Sequence, residues 1–284
     1  MLESVQPVRS FKVRGALNKV LSLDPAGRAA GVITASAGNH GQGVAYAARA
    51  FGIPATVHVP EGANPLKVQA MERLGAHVVF GGANYQEAFN HAVDAQKRTG
   101  ASLVHAYDDE QVIFGQGTIA VELLTQLDAF DTVVVPVGGG GLIAGIATYL
   151  KARRPGVRVI GVEPEGADAM TRSLAGGEPV RLEQVTTIAD GLAASAPGLL
   201  TFEIARRCVD RMIVVTESEL LETVRLFFEW EHLLAEPAGA AAMAAVMCHL
   251  EPEPGERVVV LLSGANVSAE VMARALRSRG PAAE

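Results

Sequence analysis

The sequence predicts an α/β fold with two lobes, each built on an open parallel or mixed sheet covered by helices. Short runs rich in β-branched residues alternate with longer alanine-rich stretches, and the strand candidates are continuous apolar runs. Such alternation is typical of sheets that are buried on both faces. Roughly nine alternating strand and helix units are more than one sheet usually contains. We therefore expect a small lobe at residues 32–109 and a large lobe at residues 1–31 and 110–284.

The strand and helix candidates alternate along the whole chain. Strands are expected at residues 32–34, 56–59, 77–80, 132–137, 158–162, 211–215 and 258–262, and helices at residues 44–51, 65–74 and 85–98. Glycine-rich turns follow several of these strands. Parallel sheets bind ligands beyond the carboxyl ends of their strands, so we expect the functional residues in those turns.

The composition excludes several classes of function. Of the 284 residues, 49% are hydrophobic and 5% aromatic, and the net charge is −7, which disfavours a nucleic-acid partner. No apolar run reaches the roughly 18 residues of a membrane span, and the N-terminus is too polar for a signal peptide. Cys208 and Cys248 have no paired spacing. We therefore expect a cytoplasmic protein with neither a nucleic-acid nor a membrane partner.

The turn after the strand at residues 132–137 predicts a phosphate site. Backbone N–H groups can approach a ligand closely in a glycine run, and the helix that follows presents its positive end. A flexible turn is the alternative interpretation. The run consists of Gly138, Gly139, Gly140 and Gly141.

The same turn also satisfies a relaxed dinucleotide-binding pattern. Gly139, Gly141 and Ala144 have the required spacing, and Glu163 follows at about the distance of the acidic residue that contacts a ribose. Taken alone, this pattern would predict NAD. The pattern is weak in isolation and lies in the middle of the chain, so the other segments decide whether the ligand is NAD.

Lys12 differs from the other lysines in its surroundings. It follows Phe11 and precedes residues 14–16 (RGA), a turn-like entry into an apolar helix. An amine held beside an aromatic ring near a helix start can lose its proton more easily and then bond to an aldehyde carbon. The alternative is a solvated lysine, which is the role expected for Lys19, Lys67, Lys97 and Lys151.

Two further turns offer polar groups at strand ends. The turn after residues 32–34 provides a hydroxyl, an amide, an imidazole and backbone N–H groups at a helix start, which suit a carboxylate. An N-cap made by Ser36 or Asn39 is the alternative. Ser263 follows the strand at residues 258–262, and its hydroxyl can either form the turn or bond to a ligand nitrogen. The residues of the first turn are Ser36, Ala37, Gly38, Asn39 and His40.

Together these segments resemble the fold-type II pyridoxal-phosphate (PLP) enzymes of the threonine/serine dehydratase and serine racemase family. Any one motif is common, whereas the set runs in the family's order over essentially the whole chain. The matching segments are residues 10–16 (SFKVRGA), 36–41 (SAGNHG), 115–118 (GQGT), 138–141 (GGGG), 188–191 (IADG), 236–240 (EPAGA) and 263–266 (SGAN).

The resemblance implies PLP as the cofactor and a role for each matched residue. Lys12 would be the Schiff-base lysine, and the four glycines at residues 138–141 would hold the phosphate. Around the ring, Phe11 would flank it, Asn39 would bond to the phenolic oxygen, Ser263 would face the pyridine nitrogen, and Glu236 would lie nearby.

The resemblance also implies a substrate site and a reaction. The carboxylate of a small amino acid would bind to residues 36–40, through Ser36, His40 and backbone N–H groups. Ser263 is a neutral partner for the pyridine nitrogen, so a long-lived carbanion is disfavoured and loss of a β-leaving group is favoured. With Lys12 as the base at Cα, we expect dehydration and deamination of L-threonine or L-serine to a 2-oxo acid and ammonia.

Ala37 separates this reaction from racemisation. Racemases that resemble this chain have a second serine there, which serves as a base on the opposite face of the ring, and an alanine cannot move a proton. Two other functions stay open. One is a dehydratase for another β-hydroxy amino acid, such as 3-hydroxyaspartate or a phenylserine, and the other is a PLP-binding protein without activity.

The sequence departs from the family's pattern at some positions. The lysine is residue 12, so we expect a form without the usual N-terminal leader. The sequence ends soon after Ser263, so we also expect the short form without a regulatory domain. Glu163 stands where some relatives hold a divalent cation, but position 169 is alanine, and no metal is assigned. Phe114 replaces a small residue and is expected to pack in the core or to reshape the substrate pocket. By resemblance the protein is expected to be a homodimer.

Overall fold

The computed structural model describes residues 1–278. The chain divides into two compact units, which we call the small unit (Gln6–Gln116) and the large unit (Met1–Val5 with Gly117–Glu284). The lobes expected from the sequence place residues 6–31 in the large lobe, whereas here this segment belongs to the small unit. Its first helix packs against the helix that follows the first strand of that unit.

The small unit contains one parallel sheet flanked by helices. Its strands lie in the order β3-β2-β1-β4. They are β1 (Val32–Ala35), β2 (Ala55–Val59), β3 (His77–Phe80) and β4 (Ser102–Leu103). The helices are α1 (Lys12–Ser22), α2 (Pro25–Ala30), α3 (Asn39–Phe51), α4 (Pro65–Arg73), α5 (Tyr85–Thr99) and α6 (Glu110–Gln126), whose residues from Gly117 onward belong to the large unit.

The large unit contains a second parallel sheet with the strand order β7-β6-β5-β8. Its strands are β5 (Thr132–Pro136), β6 (Arg158–Pro164), β7 (Arg211–Val215) and β8 (Val258–Val260). The helices are α7 (Gly141–Arg153), α8 (Ala169–Gly176), α9 (Leu199–Cys208), α10 (Glu217–Glu229), α11 (Pro237–His249) and α12 (Ala269–Arg277). Short 3-10 helices lie at Glu3–Val5, Glu165–Ala167 and Asp190–Leu192.

The parallel, helix-covered sheets confirm the predicted fold class, and the strand patterns show why it was predictable. Every residue of β5 is buried, as expected for a central strand covered on both faces. β3 lies at a sheet edge and is partly exposed, yet its β-branched centre still marks it as a strand. Within residues 1–278, no helix is both long and apolar enough to cross a membrane.

Two elements differ from the expectations. α3 begins at Asn39 rather than at residue 44, because Gly38 takes the N-cap position and the polar residues that follow are already helical. β4 was not expected, since it has only two residues and pairs with β1 alone at the edge of its sheet. A strand of that length leaves too little alternation in the sequence to be recognised.

A glycine in α6 sets the distance between two helices of the small unit. A Cβ atom at Gly115 would lie 2.6 Å from the carbonyl oxygen of Arg14 and 2.6 Å from the Cα of Gly15, both in α1. Neither atom belongs to a flexible side chain, so the clash cannot be relieved by a rotamer change. The close approach of α1 and α6 therefore depends on this residue.

We expect Gly115→Ala to lower the free energy of unfolding by about 1–3 kcal/mol, because overpacking against backbone outweighs the better helix propensity of alanine. Urea denaturation of the full chain measures this change. Gly62→Ala is the matched control, since a Cβ atom there meets nothing within 4 Å and should leave the unfolding midpoint nearly unchanged. An equal midpoint for both variants would contradict the packing argument.

Candidate active site

Lys12 is the first residue of α1, and its amine is held by a backbone carbonyl of the same unit. Nζ donates to the carbonyl oxygen of Ala106 at 2.8 Å and lies 5.2 Å from the centroid of the Phe11 ring. The backbone of Lys12 is packed as well, because a Cβ atom at Gly43 in α3 would lie 3.0 Å from its carbonyl carbon. The half-buried lysine is therefore held at both its backbone and its amine, unlike a solvated surface lysine.

A buried hydroxyl lies two residues before this lysine. Ser10 is fully buried, and its Oγ has no hydrogen-bond partner among residues 1–278. Buried hydroxyls of this kind are normally satisfied by a water molecule or a ligand. The Ser10 hydroxyl is therefore a polar group near Lys12 that can bind a ligand.

The turn at residues 36–40 lies between β1 and α3. The Ser36 hydroxyl accepts the backbone N–H of Gly38 at 3.2 Å, and Gly38, having no side chain, leaves the start of α3 without a side-chain cap. The predicted alternative, an N-cap by Ser36 or Asn39, is therefore not what the structure has. Residues Ser36 to Asn39, with Ala37 and Gly38 between them, are half-buried and remain able to meet a small anion at the positive end of a 13-residue helix.

His40 differs from the rest of this turn because its side chain is buried and neutral. The ring nitrogen Nε2 lies 2.9 Å from the carbonyl oxygen of Val104, so Nε2 carries the proton and Nδ1 carries a lone pair. Burial, with a smaller effect of the nearby Lys12 charge, lowers the pKa of His40 to about 3. A neutral ring with a lone pair repels a carboxylate, so the geometry favours the backbone and Ser36, rather than this imidazole, as carboxylate ligands.

Residues 104–108 are the part of this region that sequence reasoning missed. The carbonyl of Ala106 holds the Lys12 amine, and His105 Nδ1 accepts the backbone N–H groups of Tyr107 at 3.3 Å and Asp108 at 2.8 Å. A backbone carbonyl leaves no residue-type signal in a sequence. The aromatic and acidic residues that directly follow the short strand β4 were the available clue.

The glycine run of the large unit forms a loop in which two positions leave little room for a side chain. A Cβ atom at Gly138 would lie 3.0 Å from the Cα of Leu192, and one at Gly140 would lie 2.6 Å from the Cε of Met170. Gly140 also has φ +94°, the left-handed region that side chains disfavour. The loop therefore presents backbone rather than side chains directly before α7.

Hydrogen bonds hold this loop in place from behind. The Thr201 hydroxyl donates to the carbonyl oxygen of Gly139 at 2.6 Å, and the backbone N–H of Gly198 donates to the same oxygen at 3.3 Å. With its carbonyl tied, the loop meets the requirements of an anion cradle at the start of Gly141–Arg153. The predicted phosphate site is thus geometrically possible.

Ser263 and Glu236 lie in adjoining buried segments of the large unit. They are 3% and 2% exposed, and the backbone N–H of Glu236 donates to the carbonyl oxygen of Gly264 at 3.2 Å. The Ser263 hydroxyl makes only a long contact, 3.4 Å, to the carbonyl oxygen of Ala238. Such a weakly held hydroxyl can turn towards a ligand nitrogen at small cost.

The geometry of Glu163 argues against the dinucleotide interpretation. This carboxylate is fully buried and accepts the backbone N–H groups of Met170 at 2.9 Å and Thr171 at 2.7 Å, together with the Thr171 hydroxyl at 2.7 Å. It is therefore committed to the start of α8 and is not available to a ribose. For the same reason it is poorly placed to ligate a cation. No group of three or more His, Cys, Asp or Glu side chains that could hold a metal ion occurs within residues 1–278.

One of the two expectations for Phe114 was that it packs in the core, and the structure does not agree with it. The residue is 52% exposed on α6, so the core-packing expectation is wrong. Its neighbour Gly115 faces α1, which turns the preceding residue towards solvent.

Comparison with known proteins identifies the family. A family model described as "Pyridoxal-phosphate dependent enzyme" matches residues 1–264. The chain belongs to this family. The residues fit the cofactor: a held lysine, a tied glycine cradle for a phosphate, and buried hydroxyls at Ser10 and Ser263.

Named relatives confirm the branch of the family that the ordered motifs predicted. An L-threonine ammonia-lyase of Thermotoga maritima is 43% identical over 273 residues, 96% of this chain and 68% of that protein. A phenylserine dehydratase of Ralstonia pickettii is 44% identical over 276 residues, 97% of this chain and 84% of that protein. The solved structure of processed threonine deaminase isoform 2 from Solanum lycopersicum has a TM-score of 0.92 at 37% identity, covering 97% of this chain and 81% of that one.

The buried carboxylate of Glu163 gives a pH-dependent stability. Burial raises its pKa to about 7 from 4.5, against the opposing effect of its hydrogen bonds. The folded chain then binds this proton more tightly than the unfolded chain, so stability falls as the pH rises from about 4.5 to about 7. Over this pH range the free energy of unfolding falls by about 3 kcal/mol at most.

We expect Glu163→Gln to remove most of this pH dependence, because the amide does not ionise. Urea denaturation at several pH values between 5 and 8 gives the slope of the unfolding free energy for each variant. Glu165→Gln, which changes an exposed carboxylate two residues away, should keep the wild-type slope. A Glu163→Gln slope as steep as that of the wild type would contradict the assignment.

Proposed function

We propose that the chain catalyses the PLP-dependent dehydration and deamination of L-threonine or L-serine to a 2-oxo acid and ammonia. The observation that carries the proposal is the placement of Lys12. Its amine is held by the Ala106 carbonyl, and its backbone packs against α3, the helix that begins at the turn offering N–H groups to a carboxylate. The 43% identity to a threonine ammonia-lyase over 96% of the chain supports the substrate class.

The residues named from the sequence are proposed to hold the cofactor. Lys12 would hold its aldehyde group, and the backbone N–H groups of residues 138–141 would bind its phosphate. Phe11 and Glu236 would lie near the ring, Asn39 would donate to the phenolic oxygen, and Ser263 would meet the pyridine nitrogen. When bound, PLP supplies a conjugated ring that spreads the negative charge formed at the substrate's Cα.

The chain's own residues perform the proton transfers and the orientation of the substrate. The backbone N–H groups and the hydroxyl at residues 36–40 bind the substrate carboxylate and orient the Cα–H bond. The Lys12 amine, freed when the amine of the substrate takes its place, would then take the Cα proton. Ser263 is neutral and would not protonate the ring nitrogen, so negative charge at Cα would be short-lived and loss of the β-hydroxyl would be faster than reprotonation of Cα. The departing hydroxide would take up a proton and leave as water. The product enamine, once free, tautomerises to an imine, and a second water molecule adds to the imine and displaces ammonia, which gives the 2-oxo acid.

A dehydratase for a β-aryl serine is the second candidate. The Ralstonia phenylserine dehydratase is 44% identical, and this chain spans 84% of its length, compared with 68% of the Thermotoga protein. A substrate panel scored by 2-oxo acid release separates the candidates, and 3-hydroxyaspartate belongs in the same panel.

A homodimer in the cytoplasm is also proposed. Support comes from large apolar side chains exposed within one short segment, Phe228 at 42%, Trp230 at 71% and Leu234 at 42%. Exposed aromatic groups of this kind are enriched in protein interfaces. Sedimentation of the purified chain tests the dimer, and a monomer at all concentrations would contradict it.

We expect Lys12→Ala to reduce turnover by about a thousandfold or more, because the base at Cα is lost. Borohydride reduction of the wild-type holoenzyme should attach PLP covalently to the peptide that contains residue 12. Mass spectrometry of a proteolytic digest detects the added mass on that peptide. Lys97→Ala, which removes a lysine that is 70% exposed, is the matched control and should keep full activity.

Two results would contradict this assignment. Attachment of PLP at another lysine would show that the wrong residue was chosen. Attachment at Lys12 with no turnover of any β-hydroxy amino acid would favour a PLP-binding protein without activity.

We expect no conversion of L-serine to D-serine, because Ala37 offers no group that can return a proton. Its methyl group packs partly against the core of the small unit. Chiral chromatography of the reaction mixture measures the product, and D-serine added in known amount verifies that it would survive and be detected. D-serine formed at a rate near that of the 2-oxo acid would overturn the interpretation.

A further inference from the structure

Four aromatic rings of the small unit form a continuous chain of contacts. Tyr85 and Phe89 of α5 stack with their centroids 6.1 Å apart, Phe89 meets His105 edge to face at 5.4 Å, and His105 meets Tyr107 at 4.7 Å. All three distances lie in the range of favourable aromatic pairs. The rings are not sealed in a core, since Tyr85 is 42% exposed and the other three are half-buried.

This ring cluster adjoins the amine of Lys12. The carbonyl that accepts the amine at 2.8 Å belongs to Ala106, the residue between His105 and Tyr107. Because the rings of His105 and Tyr107 touch each other, both lie on one side of this segment. The Lys12 charge also contributes to lowering the pKa of His105, which agrees with their closeness.

His105 is held as a neutral ring in a fixed orientation. Its Nδ1 accepts two backbone N–H groups, from Tyr107 and Asp108, which leaves the second nitrogen as the protonated one. Burial lowers the pKa of His105, although the Asp108 charge opposes this. A neutral ring can be covered by an apolar group without the large desolvation cost of an imidazolium.

We propose that Tyr107 and His105 form the surface that receives the β-substituent of the substrate, and that this surface accepts an aryl group. The inference rests on the proposed elimination at Lys12 and specifies its substrate class. The amine takes its proton from Cα, and Cβ is bonded directly to Cα, so the substituent on Cβ lies within reach of the segment that holds the amine. The methyl group of threonine covers little of the two rings, whereas a phenyl group can pack against both. The enzyme therefore turns over phenylserine as well as threonine.

Competition between L-threonine and L-threo-phenylserine tests this inference. The ratio of their kcat/KM values is measured from the two 2-oxo acids formed in one reaction, so it does not depend on the fraction of active enzyme. We expect Tyr107→Ala to lower the phenylserine-to-threonine ratio roughly tenfold, and Tyr107→Leu to lower it less. Tyr107→Phe keeps the ring and should keep the ratio.

Phe80→Ala is the matched control for loss of a ring. Phe80 is 48% exposed and lies on β3, at the opposite edge of the sheet from β4, and its removal should leave the ratio unchanged. An unchanged ratio in both Tyr107→Ala and Tyr107→Leu overturns the inference. So does a wild-type enzyme that turns over threonine but not phenylserine, and in that case the proposed function still stands. Turnover of none of L-threonine, L-serine and phenylserine overturns the proposed function itself.

Discussion

The contact between α1 and α3 is the constraint on which the proposed catalytic arrangement depends. Gly43 has no side chain, and this allows the backbone of α3 to lie against the backbone of Lys12. The same helix begins at Asn39, so the turn at residues 36–40 is tied to the lysine through one rigid pair of helices. A base and a carboxylate-binding turn that share a rigid support keep a single relative geometry, which proton abstraction at a fixed Cα requires.

The carbonyl of Val104 extends this support to the segment that holds the amine. It accepts the Thr34 hydroxyl from β1 at 2.8 Å and faces His40 Nε2 from α3 at 2.9 Å. Strand β4, which precedes it, pairs over only two residues and would by itself leave the segment loosely held. These side-chain hydrogen bonds, together with the backbone hydrogen bond from Val104 N–H to the Ile33 carbonyl at 2.9 Å, hold the chain beyond β4, and Ala106 lies two residues further on. The same device secures the glycine run of the large unit, where Thr201 ties the Gly139 carbonyl.

The strands and the glycine run could be predicted because their signals are local. β3 and β7 have the expected bounds, since continuous β-branched residues need no distant partner to be recognised. The role of Ala106 could not be predicted, because a carbonyl oxygen is common to all residues. The hydrogen bonding and neutrality of His40 could not be predicted for a related reason. Its tautomer is set by Val104, 64 residues away, and its neutrality by burial that only the folded chain shows.

The neutrality of two histidines explains how a lysine can serve as the base in this region. His40 is buried with its pKa lowered to about 3, and the pKa of His105 is also lowered by burial, so neither imidazole is charged at neutral pH. A charged imidazole near Lys12 would repel the proton that its amine must accept from Cα. Both rings direct their hydrogen bonds to the backbone, so they position the segment at residues 104–108 while staying neutral themselves. Among these three side chains, the amine of Lys12 is therefore the one proposed to accept the proton from Cα.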